Sequence, residues 1–124
     1  MFHPSRGPVR VEAEISGPAK RSNLRLLLDP GATTSLIDAT LLAEMGYDPA
    51  ASTDHIRVTM GNGVESVPRI VLTRLTALGQ DRFAFPVLAH DFPPGAGVDG
   101  LLGLDFLRGH ILTVDFRNGK IDLA

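Results

Sequence analysis

One acidic residue has surroundings that suit proton-transfer chemistry. Asp29 follows the apolar run from Leu26 to Leu28 and precedes Pro30 and Gly31, so the end of a strand delivers a carboxylate onto a tight loop. Apolar surroundings disfavour the charged form of a carboxylate, which is one way in which proteins prepare an acid for proton transfer. Asp-Pro-Gly is also ordinary turn chemistry, and these residues alone favour the turn.

Other kinds of chemistry lack the residues that they require. The chain has no cysteine, which excludes disulfides, thiolate nucleophiles and thiolate metal ligands. Ser35 has no Gly-x-Ser-x-Gly elbow, and the glycines at 95 and 97 lack the frame and the lysine of a phosphate-binding loop. The four histidines show no paired ligand spacing: His3, His55, His90 and His110. We therefore expect neither a metal nor a cofactor.

Two further carboxylates are candidates for a second acid in the same chain. Asp99 is followed by Gly100, which is typical of a turn, and Asp105 falls in the first turn of a predicted short helix. Structural roles are favoured for both.

The composition predicts a single globular domain over residues 1–124, with residues 1–8 as a flexible N-terminal segment. Of the 124 residues, 44% are hydrophobic and 21% are charged, as in ordinary soluble proteins. A net charge of -2 gives no basic field for nucleic acid or an anionic membrane. No segment approaches the roughly 20 apolar residues of a membrane span, and we expect a cytoplasmic protein.

Alternating apolar residues predict strands in the first part of the chain. Residues 9–15 alternate between apolar and polar types, and the run 24–28 forms a second strand, so the two together indicate a hairpin. Asp38 is a typical helix N-cap, and apolar spacing predicts a helix over 39–45 that ends at Gly46.

Hairpins dominate the remainder of the predicted fold. Residues 55–78 form two alternating runs around Gly61-Asn62-Gly63, and 83–88 is a further strand. A short helix follows Gly103 and stops at Gly109, and the runs 111–116 and 121–123 form a terminal hairpin. The sum is a mostly β domain with two short helices, its sheets packed face to face or rolled towards a barrel.

The order of these parts resembles the retropepsin-like aspartic proteases, in particular the bacterial single-domain members. The resemblance runs from about Val9 to the C-terminus and rests on three motifs: the loop from Asp29 to Thr33, the hairpin tip from Met60 to Val64, and the segment from Leu101 to Gly103. It implies a half-barrel acid-protease fold, a flap hairpin and a homodimer. In the family, the last motif crosses beneath the catalytic loop and supports it.

The resemblance also implies a role for each matching residue. Asp29 would be the single catalytic aspartate of each protomer, and the two would share a proton and activate water for hydrolysis of a peptide bond. Residues of the catalytic loop and of the flap would bind an extended protein or peptide substrate: Gly31, Ala32, Thr33, Met60, Gly61, Asn62 and Gly63. The implied partners are a second copy of the chain and that substrate.

The chain departs from the family immediately after the aspartate. The family carries Thr or Ser there, whose hydroxyl bonds to backbone across the dimer interface, whereas this chain has Pro30. Proline supplies neither a hydroxyl nor an N–H. Two interpretations stay open: an aspartic peptidase, which we favour, and a weak or silent relative that serves as a peptide-binding or dimerisation module.

Overall fold

The computed structural model describes residues 2–5, 7–61 and 63–124, except for the side chain of Met60. Its regular elements, in chain order, are β1 Arg10–Ser16, β2 Arg21–Leu28, β3 Leu36–Asp38, α1 Ala39–Glu44, a 3₁₀ turn Pro49–Ala51, β4 His55–Met60, β5 Gly63–Ala77, β6 Gln80–His90, β7 Gly100–Leu102, α2 Leu104–Leu107, β8 Leu112–Asp115 and β9 Lys120–Leu123. The mostly β fold with two short helices is confirmed.

Seven strands form one sheet that curls back on itself. The order is β1-β2-β7-β3-β6-β5-β4, and β1 also pairs with the distal end of β5, which makes the sheet barrel-like. The alternation in β1 places one row of side chains inside, so apolar burial selects its register. The interior contains a set of apolar residues with no exposed surface, among them Ile15, Leu26, Ile37, Leu42, Leu72, Leu102 and Phe106.

The hairpins and helix ends predicted from local sequence are present. β1 and β2 pair antiparallel, as do β4 with β5 and β8 with β9. The Asp38 carboxylate accepts a hydrogen bond from the Leu41 N–H, which caps α1 as predicted. Gly46 and Gly109 both have positive φ, so each suits the end of the helix that precedes it.

β6 is longer than the sequence pattern predicts, and β5 and β6 bend at the same point. Leu72 and Leu75 are both fully buried although they lie three residues apart, which breaks the period of two. Opposite them, Ala84 has a φ of +50°. The hydroxyl of Tyr47 accepts the Thr73 N–H at 2.9 Å and donates to the Ser16 carbonyl at 2.7 Å. Tyr47 thus supplies the hydrogen bonds that the bend removes from the ladder.

The prediction of a turn at Asp99 and Gly100 was wrong. Gly100 begins β7, and the Asp99 backbone bonds to Arg25 on one side and Asp38 on the other, which makes it an entry to the strand. A Cβ at Gly100 would collide with the Leu36 carbonyl oxygen. The glycine is therefore required by close strand packing, and not by a turn.

The placement of β7 determines the architecture around Asp29. β7 lies between β2, to which it is parallel, and β3, to which it is antiparallel. The chain leaves β2 at Leu28 and re-enters the sheet at Leu36 on the other side of β7. The connecting loop, residues 29–35, must therefore pass over the end of β7.

Candidate active site

Asp29 lies at the point where β2 gives way to this loop. Its N–H donates to the Leu102 carbonyl at 3.0 Å, which continues the β2–β7 ladder by one residue. One carboxylate oxygen, Oδ1, accepts the Gly31 N–H at 3.0 Å, and the Asp29 carbonyl accepts the Ala32 N–H at 3.0 Å. Among the described residues none donates to Oδ2. The half-buried carboxylate is therefore fixed by one oxygen and leaves the other available to a bound molecule.

The end of β7 and the start of α2 hold the loop from below. Leu104 N–H donates to the Ala32 carbonyl at 2.8 Å, and Asp105 N–H donates to the Thr33 carbonyl at 3.2 Å. Gly103 is buried between them, and a Cβ there would lie 2.8 Å from the Ala32 oxygen. Only glycine allows the two segments to approach this closely. The Leu-Leu-Gly segment is thus in the position that the resemblance implied.

A buried serine ties the other end of the loop to α2. Ser35 has no exposed surface, and its hydroxyl donates to Asp105 Oδ1 at 2.6 Å while accepting the Gly103 N–H at 3.0 Å. The Ser35 N–H donates to Asp105 Oδ2 at 2.9 Å. Sequence analysis favoured a structural role for Asp105 but did not pair it with Ser35.

A cleft of about 470 Å³ opens beside the loop and separates it from β4. Three residues predicted to bind substrate line it together: Gly31, Ala32 and Thr33. The remaining lining residues, which form the rest of its wall, were not predicted: Thr34, Leu36, Ile56, Arg57, Val58, Thr59 and Leu88. The alternation of Ile56 and Val58 in β4 was the one signal in the sequence that pointed to part of this wall.

The predicted flap residues belong to the hairpin that joins β4 to β5. Met60 pairs with Gly63 in the β4–β5 ladder, and Gly61 and Gly63 are exposed. Asn62 and the side chain of Met60 lie outside the described residues. The hairpin that carries these positions continues directly from the β4 residues that form the cleft wall.

Pro30 occupies the exposed tip of the loop. It offers no N–H and no hydroxyl, and the next donor along the chain, the Gly31 N–H, is bonded to the Asp29 carboxylate. Position 30 therefore offers no side-chain hydrogen bond to a neighbouring backbone.

The carboxylates with a lowered pKa belong to turns outside the loop. The Thr76 hydroxyl and then the Arg74 guanidinium lower the pKa of Asp81, next to the β5–β6 turn. Hydrogen bonds from Asn118 lower the pKa of Asp115, at the β8–β9 turn. Across the described part of the chain, no group of three or more His, Asp or Glu side chains is placed to hold a metal ion.

None of the helices in the described residues is long and apolar enough to cross a membrane.

Comparison with known proteins agrees with this geometry. A solved structure, a retropepsin-like aspartic protease from Rickettsia conorii, is similar with a TM-score of 0.65 and 16% identity, over 86% of this chain and 75% of that chain. This likeness confirms the retropepsin-like fold. No curated protein sequence matches the chain. The family model for aspartyl proteases matches residues 11–106, which include the loop, the cleft and β7, and the chain therefore belongs to the aspartyl protease family.

Proposed function

We propose that this protein is an aspartic endopeptidase that acts as a homodimer, with Asp29 of each protomer as its catalytic residue. The observation that carries the proposal is the position of Asp29 on a loop whose next residues line the cleft. Its Oδ1 is held by the Gly31 N–H, while Oδ2 has no donor among the described residues. Family membership supports peptide-bond hydrolysis as the reaction.

The chemistry requires two carboxylates that face each other. Two like charges in close contact do not both ionise readily, so the pair shares a proton. The ionised carboxylate takes a proton from water as the water oxygen attacks the peptide carbonyl, and the protonated carboxylate donates to the carbonyl oxygen. The loop 29–35 contains a single acid, so the second comes from another copy of the chain.

The substrate class follows from the walls of the cleft. Leu36, Ile56, Val58 and Leu88 present a largely apolar surface, which suits apolar side chains of an extended peptide. The Gly31 carbonyl would accept a hydrogen bond from its main chain, and Ala32 and Thr33 line the adjoining part of the cleft. Closure of the hairpin tip, from Met60 to Gly63, would exclude water, and glycines at the tip give the backbone the freedom that closure requires.

Pro30 favours a second candidate function, a non-catalytic peptide-binding or dimerisation module on the same fold. Without a hydroxyl at position 30, the paired loops lose a contact across the dimer interface, and two aspartates that are held loosely catalyse poorly. The cleft would still bind a peptide.

Peptide cleavage separates the two candidates. Purified protein is incubated with a peptide library from acidic to neutral pH, beside an Asp29→Asn variant and a matched Asp91→Asn control at an exposed loop position. We expect cleavage by the wild type and by Asp91→Asn, and a loss of about 100-fold or more in Asp29→Asn. A dimer that binds peptides but cleaves none at any pH would establish the binding module instead.

A further inference from the structure

Six hydrogen bonds join the loop 29–35 to residues 102–105 of the same protomer. At the start of the loop, Asp29 N–H bonds to the Leu102 carbonyl; in the middle, the carbonyls of Ala32 and Thr33 accept bonds from the first turn of α2. The remaining three bonds meet at Ser35. Both ends of the loop are therefore fixed without any contribution from position 30.

The three bonds at Ser35 connect its hydroxyl and its N–H to Gly103 and Asp105. The Ser35 hydroxyl accepts the Gly103 N–H, so its own proton points to Asp105 Oδ1 at 2.6 Å. Asp105 Oδ2 accepts the Ser35 N–H at 2.9 Å, which makes the contact two-pronged. Ser35 has no exposed surface. Because water cannot replace these bonds, their loss leaves buried donors unpaired.

We infer that Asp105 is a positioning residue for Asp29: acting through Ser35, its carboxylate holds the catalytic loop from within the protomer. This inference rests on the proposed function. Asp105 donates its own N–H to the Thr33 carbonyl and accepts two bonds from Ser35. A single residue thus fixes the loop at two places.

The side chain of Asp105 acts at a distance from the reaction, so its removal affects alignment and not substrate contact. A misplacement of about 1 Å between reacting groups costs about 100-fold in rate. We therefore expect Asp105→Ala to lower kcat about 100-fold and to change KM less than about threefold. An Asn at this position keeps one acceptor, so Asp105→Asn should recover kcat to within about tenfold of the wild type.

Ser35→Ala and Asp48→Ala complete the set of variants. Ser35→Ala removes the hydroxyl that bonds to Asp105 and Gly103, and it should lower kcat as Asp105→Ala does. Asp48→Ala removes a carboxylate that also accepts a backbone N–H, from Ala51, but lies in the connection between α1 and β4. It controls for the general loss of an aspartate hydrogen bond, and we expect kcat and KM to stay within about threefold of the wild type.

Amide hydrogen exchange tests, independently of catalysis, whether Asp105 and Ser35 hold the loop. In Asp105→Ala and Ser35→Ala, the amides of Asp29 and Ala32 should exchange about tenfold faster or more, while the amides of β8 and β9 keep their wild-type rates. An unchanged loop exchange rate or an unchanged kcat in folded variants would overturn the inference.

If the wild type cleaves no peptide, the proposed function fails, and the exchange rates still decide whether Asp105 holds the loop. If Asp105→Ala does not fold, Ser35→Ala carries the same comparison.

Discussion

At the residue scale, the arrangement around Asp29 depends on which backbone groups are left free. Proline at position 30 fixes φ and removes an N–H, and the Gly31 N–H turns back to the Asp29 carboxylate. The loop therefore keeps its turn without a side-chain hydroxyl. What is lost is a donor that could reach a second protomer, because Pro30 is exposed at the tip where two loops would meet.

Replacing Pro30 tests that loss directly. Pro30→Thr restores both an N–H and a hydroxyl, and we expect the dimer dissociation constant to fall about tenfold or more and peptide turnover to rise. Sedimentation measures the first and a peptide assay the second. Pro30→Val restores the N–H alone and separates the two contributions. Unchanged sedimentation together with unchanged turnover in Pro30→Thr would show that position 30 does not contribute to the interface.

The position of Asp29 at the end of a strand, on a glycine-containing loop, could be predicted from the sequence because the signal is local. An acid after an apolar run and before a glycine is visible within a few residues. The contact between Ser35 and Asp105 was not visible, since the two lie 70 residues apart in the chain. Their pairing becomes evident only when β7 is placed between β2 and β3.

At the element scale, long strands with one buried face were predictable and short or bent ones were not. β1 and β2 bury alternate residues, so their period of two is clear. β3 and β7 have three residues each, which is too few for a pattern. The sequence also could not indicate the bend at Thr73 and Ala84, because Tyr47, which stabilises it, comes from a distant loop.

The bend should depend on the Tyr47 hydroxyl. Tyr47→Phe leaves the Ser16 carbonyl and the Thr73 N–H without their partner, and we expect a loss of about 1 to 3 kcal/mol in the free energy of unfolding. Urea unfolding measures it. Thr73→Val removes the neighbouring side-chain hydroxyl but keeps the backbone bond, so it serves as the control. A loss in Thr73→Val equal to that in Tyr47→Phe would refute the role assigned to the tyrosine.

The β8–β9 turn should give the fold an acid-sensitive component. Hydrogen bonds from the Asn118 side chain, and then from backbone N–H groups, hold the pKa of Asp115 below its ordinary value of 3.8. A lowered pKa in the folded state contributes stability above the unfolded value, and that contribution is lost as the pH falls through the folded value. The difference in unfolding free energy between wild type and Asp115→Asn should therefore be constant near neutral pH. It should shrink as the pH falls below 3.8, the ordinary pKa of the carboxyl group.

Urea unfolding at a series of pH values provides this comparison. A difference that does not change in acid would show that the Asp115 carboxylate makes no such contribution.

At the scale of the whole molecule, the proposed active site requires a second carboxylate. The fold places one carboxylate beside a cleft, and the mechanism uses two. A symmetric pair, the commonest form of oligomer, supplies the second without any further residue of this chain. The dimer is thus part of the proposed active site, and activity should depend on subunit association.

Mixing subunits tests this central claim most directly. Wild-type protein is held at a constant concentration while the Asp29→Asn variant is added in increasing excess, and peptide cleavage and subunit exchange are followed together. If each active site uses Asp29 from both protomers, mixed dimers are inactive and cleavage falls towards zero as wild-type pairs are depleted. Cleavage that stays constant while mass spectrometry shows exchanged subunits would contradict the account.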